Sequence, residues 1–227
     1  GDSTKAYTQV TDLSGTVRYV TGGRLTVEHD SGDGGLARRA RLNFPSAVAV
    51  DRAGNLYIAD TMNHRVRKVD ATTGIITNVA GTGQARYSGD GGPAVSAAIN
   101  EPTGLAVSDE ALYIADQSNN RVRRVDLATG VITTVAGDGT AAYSGDQVSA
   151  VQASLAGPSG VALGGDGVVY VADTFNSRIR SVDPATGQIA TVAGDGGTYR
   201  YQGPAEPSSP SLSRPAGIAV GSDGNVY

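Results

Sequence analysis

The 227-residue chain is rich in glycine and mildly acidic, with 32 glycines, no tryptophan and a formal net charge of −4 at pH 7. This length suffices to bury the core of one all-β domain, and so much glycine without a three-residue period indicates many turns. The negative charge disfavours a nucleic-acid partner. Because cysteine is absent, disulfides and thiolate metal sites are excluded, and no apolar run is long enough to span a membrane.

The first segment of the chain resembles the end of a repeat unit. Residues 16–22 match a strand-like piece that recurs at 74–81, and residues 31–35 read Ser-Gly-Asp-Gly-Gly, as residues 88–92 do. Residues 7–11 are expected to form the strand that precedes them. The chain begins with Gly1 and not with methionine, so we expect a processed or shortened piece.

From residue 45 onward the chain repeats with a period of 56 or 57 residues. The four copies begin with a proline at positions 45, 102, 158 and 215. In three copies, three more pieces rich in β-branched residues follow, each bounded by turn residues, which is typical of strands. Each copy therefore predicts strands a, b, c and d in an antiparallel meander. Tandem four-stranded sheets are typical of a β-propeller, an all-β fold.

The two ends of the chain are complementary, because the first segment has only strands c and d and the last copy ends after strand b. We predict one domain over 1–227, with a closing blade from 1–22 and 215–227 and three blades at 44–81, 102–137 and 158–194. This two-plus-two closure gives four blades and a monomer, and it hides two strand edges. The alternatives are a fragment of a six-bladed propeller and a dimer that closes into eight blades.

The repeat resembles the NHL-repeat family. The resemblance is carried by residues 51–69, Asp-Arg-Ala-Gly-Asn-Leu-Tyr-Ile-Ala-Asp-Thr-Met-Asn-His-Arg-Val-Arg-Lys-Val, and by the matching runs in the other copies. The Tyr-Ser-Gly-Asp-Gly-Gly sequence at 87–92 is similar to that of bacterial NHL proteins and teneurins. The resemblance implies a propeller, usually six-bladed, that serves as a recognition module for proteins or RNA, as an extracellular sensor or, in a few members, as an enzyme such as an amidating lyase.

A polar motif, Asp-x-x-Asn-x-Arg, follows strand b in every complete copy. We expect it on the face where the b–c and d–a connections emerge. Its recurrence favours a structural role, in which the aspartate accepts backbone N–H bonds and the arginine pairs with a carboxylate of the same or the next blade. Contact with a ligand is the alternative. The motif residues are Asp60, Asn63, Arg65, Asp116, Asn119, Arg121, Asp173, Asn176 and Arg178.

The long d–a connections supply the candidate binding residues. Two of them share a tyrosine and an aspartate, and the third replaces these by an arginine between two tyrosines, a combination typical of binding hot spots. Sequence drift in an exposed loop is the alternative for the third. One carboxylate per loop is too few for a calcium site. The candidates are Tyr87, Asp90, Tyr143, Asp146, Tyr199, Arg200 and Tyr201.

The sequence contains no evident catalytic centre. The two histidines, His29 and His64, occupy different parts of the repeat, whereas a zinc lyase needs several histidines together. We therefore predict a non-enzymatic recognition or scaffold module without cofactor or metal, which binds a protein or carbohydrate and is exported or extracellular. The alternatives are a lyase or cyclase with an asymmetric Tyr/Arg/Asp site on the same face, and a structural domain of a larger surface protein.

Overall fold

The computed structural model describes residues 7–11, 17–21, 32–197 and 212–227, with side chains described from residue 32 onward. Its strands form antiparallel sheets. The first sheet contains β1 (Tyr7–Thr11) and β2 (Val17–Thr21). Blade 1 contains β3 (Pro45–Val50), β4 (Leu56–Asp60), β5 (Arg65–Val69) and β6 (Ile76–Ala80). Blade 2 contains β7 (Pro102–Val107), β8 (Ala111–Asp116), β9 (Arg121–Asp126) and β10 (Ile132–Ala136).

Blade 3 has a fifth strand that the repeat pattern did not predict. Its strands are β11 (Val148–Ser149), β12 (Gly160–Leu163), β13 (Val169–Asp173), β14 (Arg178–Val182) and β15 (Gln188–Ala193). The short β11 belongs to the d–a connection and pairs with β15, the outermost strand. In blade 2 the loop at 89–93 similarly exchanges backbone hydrogen bonds with Ile132. The d–a connections that arrive at blades 1, 2 and 3 thus cover the outer edge of those blades, which protects that edge from pairing with another chain.

The b–c connection has the same tight conformation in the three complete blades. A three-residue 3-10 turn, such as Thr61–Asn63, is followed by one residue in the left-handed region. That residue is His64, Asn120 or Ser177, with φ between 51° and 53°. In blade 1 the turn brings Asp60 opposite both Pro45 and Arg65. Described helices are limited to such short turns, and none is long and apolar enough to cross a membrane.

The core lies between successive blades. One buried cluster joins Tyr57, Ala59 and Val66 of blade 1 to Leu112 and Ile114 of blade 2. A second cluster joins blades 2 and 3 in the same way. The inner strands approach so closely that a Cβ atom on Gly104 would lie 2.6 Å from the carbonyl oxygen of Ser159. Sheets that are apolar on both faces need a neighbour on each side, which is why one repeat cannot fold alone.

The outward face of blade 1 has no such neighbour among the described residues. Val48 is 62% exposed, whereas the equivalent Leu105 and Val161 are 8% and 4% exposed because a preceding blade covers them. At the other end, residues 215–227 pair as strands a and b through the bridge between Val220 and Val226. The described β1 and β2 form a two-stranded sheet. The closing blade therefore stays a prediction.

Candidate functional site

The aspartates of the repeated motif are buried and hydrogen-bonded at the b–c turn. Asp116 Oδ1 accepts the backbone N–H of Asn100 at 2.7 Å, and Asn119 Nδ2 donates to the same carboxylate at 2.9 Å. Asp60 and Asp173 are bound in the same way by the equivalent residues of their blades. Burial raises the pKa of Asp116, and these hydrogen bonds together with the charge of Arg123 oppose that rise.

The motif arginines bind main-chain carbonyls at the end of strand d. Arg65 Nη2 donates to the carbonyl oxygen of Thr82 at 3.0 Å, and Arg178 Nη2 donates to that of Asp195 at 2.7 Å. Arg121 makes the equivalent bond in blade 2. Among the described residues, the expected pairing of Arg121 and Arg178 with a carboxylate is therefore wrong. The buried aspartates pair instead with the arginine two residues further along strand c, which the motif does not include. These arginines are Arg67, Arg123 and Arg180.

A fully buried arginine links each complete blade to the preceding d–a loop. Arg123 Nη1 lies 3.2 Å from Asp116 Oδ2 of its own blade, and its Nε donates at 3.1 Å to Asp90 of the loop that arrives from blade 1. Arg67 bridges Asp60 and Asp33, and Arg180 bridges Asp173 and Asp146. The recurring Arg-x-Arg spacing was the available signal, because residues two apart lie on one face of a strand.

The loop aspartates that were predicted to bind a ligand also contact the blade. Asp90 accepts hydrogen bonds from the hydroxyl of Tyr87 and from the backbone N–H and hydroxyl of Thr134. Burial acts to raise the pKa of Asp90, but these bonds and Arg123 outweigh it and hold the pKa below 3.8. Asp146 likewise accepts the hydroxyl of Thr191 at 2.9 Å. Ligand binding by Asp90 and Asp146 stays a prediction.

The loop tyrosines stack on the motif arginines. The guanidinium carbon of Arg121 lies 3.7 Å from the centre of the Tyr87 ring, and that of Arg178 lies 3.8 Å from the Tyr143 ring. One face of each ring is therefore covered, although both side chains remain exposed. Tyr199, Arg200 and Tyr201 lie outside the described residues, so their binding role also stays a prediction.

A second set of residues lies on the b–c face, next to the start of the inner strands. The residue that precedes the first proline of each copy has a left-handed backbone, with φ of 49°, 52°, 54° and 49° at Phe44, Glu101, Gly157 and Arg214. The middle residue of each 3-10 turn lies beside this left-handed residue. In blade 1, for example, the backbone N–H of Met62 donates to the carbonyl oxygen of Asn43, the residue before Phe44, at 3.1 Å. We call these two positions the rim pair. The rim pairs are Phe44 with Met62, Glu101 with Ser118, and Gly157 with Phe175.

The rim pairs differ in chemistry from blade to blade. In blade 1 both members are apolar, and Phe44 and Met62 are 77% and 45% exposed. In blade 2 the Ser118 hydroxyl donates to Glu101 Oε2 at 2.6 Å. In blade 3 Phe175 is 57% exposed and lies where a side chain on Gly157 would be. The sequence did contain a signal for this site, because Phe44 and Phe175 are the only phenylalanines of the chain and Met62 is its only methionine.

A cavity of about 270 Å³ lies at the start of the inner strands. Its lining includes Ser46, Thr103 and Ser159, together with small apolar residues. Ser46 Oγ and Ser159 Oγ bind the hydroxyls of turn threonines in their own blades and main-chain carbonyls of the next copy. Within the described ranges, no three His, Asp or Glu side chains are grouped so that they could hold a metal ion.

Comparison with known families agrees with this repeat architecture. The family model for the teneurin NHL domain matches residues 5–88, and the model for the NHL repeat matches residues 155–180. The chain belongs to the NHL-repeat family. NHL repeat-containing protein 2 of Gallus gallus is 37% identical over 99 residues, which are 43% of this NHL chain and 13% of that protein. Teneurin-3 of Mus musculus is 30% identical over 98% of this chain and 9% of its own length.

The NHL chain spans only a small part of its curated relatives. It covers 20% of the protein SUPPRESSOR OF QUENCHING 1 of Arabidopsis thaliana, at 26% identity over 90% of this chain. Among solved structures, a protein of unknown function from Bacteroides thetaiotaomicron has a TM-score of 0.59 at 23% identity, over 78% of this chain and 42% of that one. The nidogen/laminin complex has a TM-score of 0.55 at 13% identity, over 93% of this chain and 59% of that one. These likenesses support the β-propeller fold.

Proposed function

We propose that this NHL-repeat domain is a non-enzymatic recognition module that binds a protein partner on the b–c face. The observation that carries the proposal is the exposure of Phe44, Phe175 and Met62, which are the only phenylalanines and the only methionine of the chain. The core is built from Ile, Leu, Val, Ala and Tyr. The two phenylalanines and the methionine are therefore exposed on the b–c face and do not contribute to the core.

Aromatic residues and methionine are the apolar types enriched at protein interfaces. A single exposed apolar side chain needs no explanation, but several on one face indicate an interaction surface. The rim also carries a polar group, because Glu101 of blade 2 lies on the same face as these anchors. Apolar anchors combined with polar groups are usual at a protein interface.

The repeated charged residues support a scaffold role more than a catalytic one. The buried carboxylates of Asp60, Asp116 and Asp173 are each engaged by an arginine, an asparagine and a backbone N–H. A general acid or base must reach a substrate proton, and these groups lie inside the blades. One structural neighbour, from Bacteroides ovatus, is titled an auxiliary nutrient binding protein, which supports a binding role for the fold.

A protein partner is favoured over a carbohydrate by the kind of anchor that the rim exposes. The exposed anchors at the rim include the flexible thioether of Met62, which adapts to irregular protein surfaces.

The proposal is tested with a phage-displayed library of random dodecapeptides selected against the chain. Synthetic copies of the selected peptides are then titrated against the native protein and two variants by fluorescence anisotropy. Phe175→Ser is expected to weaken binding at least about tenfold, because it removes a central anchor. Val151→Ser is the matched control, because Val151 is also exposed but its turn lies beside the c–d turn, where Ala150 binds Gly187.

Binding that is equal in Phe175→Ser and Val151→Ser would contradict the proposal. A library that yields no peptide bound by the native chain would also contradict it. Circular dichroism of each variant shows whether the blades remain folded, so that loss of an anchor is distinguished from loss of structure.

A further inference from the structure

The rim pairs combine a constant backbone with variable side chains. In all three complete blades the middle turn residue donates its N–H to the carbonyl just before the rim, at 3.1 Å for Met62 and Ser118 and 2.9 Å for Phe175. The first rim position is left-handed in every copy. Because the backbone is the same, the folding of the turn does not require these particular side chains.

The left-handed backbone at the first rim position is further evidence that folding does not require the side chains found there. A non-glycine residue in that region costs on the order of 1 kcal/mol, and Gly157 shows that glycine is compatible with the position. Phe44, Glu101 and Arg214 nevertheless keep large side chains there. Residues held in unfavourable backbone regions are concentrated at functional sites.

The order of the blades fixes the order of the rim pairs along the b–c face. Ser46 Oγ donates to the carbonyl oxygen of Thr103 at 3.1 Å, so blades 1 and 2 are neighbours. Gly104 lies against Ser159 O, so blades 2 and 3 are neighbours. The acidic pair of Glu101 and Ser118 therefore lies between the apolar pair of blade 1 and the aromatic pair of blade 3.

We infer that the rim pairs determine which partner binds, and that they fit a protein segment with a basic side chain between two apolar side chains. This inference rests on the proposed recognition function. The apolar side chains would pack on Phe44 with Met62 and on Phe175. The basic side chain would pair with Glu101, whose Oε2 is already oriented by the Ser118 hydroxyl. A charge-assisted bond of this kind selects the partner more than it adds affinity.

The test extends the peptide selection with a charge reversal. Peptides selected on the native chain are expected to carry Lys or Arg between two apolar positions. Glu101→Lys is expected to weaken these peptides at least about tenfold, and a second selection on this variant should recover Asp or Glu at the middle position. Glu110→Lys is the matched control, because Glu110 makes the same charge change in an a–b turn at the opposite end of strand b and should alter affinity less than about twofold.

The outcomes separate the two proposals. Peptides that lose binding in Phe175→Ser but show no basic preference, and whose affinity is unchanged in Glu101→Lys, would overturn this inference and leave the recognition function standing. Peptides that bind independently of Phe175 would overturn the recognition function itself.

Discussion

The buried arginines and the rim pairs behave in opposite ways across the three complete blades. Arg67, Arg123 and Arg180 repeat without change and make the same two carboxylate contacts. The rim pairs keep one backbone conformation but change from apolar to acidic to aromatic. Each buried arginine meets the same kind of incoming loop, so packing demands identical residues, whereas a ligand on the b–c face would contact several rim pairs at once and needs different ones.

The two regions should also differ in what they contribute to stability. The arginines join strand c to the incoming loop inside the protein, where an unpaired charge is costly. The rim side chains lie largely in solvent, where substitutions usually have small effects. Unfolding measurements can therefore separate the residues that hold the blades together from the residues that are available to a partner.

The largest effect is expected at Arg123. Arg123→Met leaves the buried Asp116 without its cation, so the free energy of unfolding should fall by about 3–5 kcal/mol. The control is Arg124→Ala, at the next position of the same strand. Arg124 and its partner Asp126 are partly exposed, and their loss should cost less than about 1 kcal/mol. Similar urea midpoints for the two variants would show that the buried network does not stabilise the blades.

The second effect concerns the closing blade, which we propose forms from β1, β2 and residues 215–227. Two observations support this proposal. No described residue covers the outward face of blade 1, and a cavity of about 310 Å³ lies between Ile179 and Val226, where strands c and d of a fourth blade are expected. Val226 is equivalent to Leu56, which pairs with Val69. Thr11 pairs with Val17 as Val69 pairs with Ile76, so Thr11 should lie opposite Val226.

The double variant Thr11→Cys/Val226→Cys tests this register in a chain that has no other cysteine. Opposite residues of antiparallel strands have Cβ atoms close enough for a disulfide. We expect an intramolecular disulfide in dilute protein and a gain of about 2–4 kcal/mol in unfolding free energy. Thr11→Cys/Asp166→Cys, which joins mismatched positions, should stay reduced. A disulfide between two chains would instead indicate a closed dimer.

The sequence predicted the blades well because their signals are local. The strands begin and end close to the predicted positions, since each has its own alternation and its own turn residues. The role of Arg67 could not be predicted, because it depends on which strand face meets a loop that arrives from a distant part of the chain. The rim pairs were missed for a similar reason. Phe44 and Met62 are brought together only by the register that places Pro45 opposite Asp60.

A smaller, pH-dependent effect is expected at His64. Its Nδ1 accepts the backbone N–H of Glu101 at 3.1 Å, and burial lowers its pKa from 6.5, although the charge of Glu101 opposes this. The folded state therefore resists protonation. The contribution of His64 to stability is complete above pH 6.5 and is lost as the pH falls through the lowered pKa.

Asn120 makes the equivalent bond to Gly157 without titrating, at 2.9 Å. His64→Asn should therefore keep the bond and remove the loss of stability that the native protein shows as the pH falls below 6.5, a loss that solvent screening keeps small at this partly exposed side chain. Urea unfolding of both proteins at several pH values between 7.5 and 5 measures the difference. Parallel pH profiles would contradict a role for the His64 bond.

The smallest effect, and the most direct test of the division between scaffold and rim, is expected for Phe44→Ser. The measurement is its free energy of unfolding in urea, made beside Arg123→Met. If the rim serves a partner and not the fold, Phe44→Ser should change this free energy by no more than about 0.5 kcal/mol. A loss comparable to that of Arg123→Met would show that Phe44 belongs to a packed surface between blades, and would contradict the account.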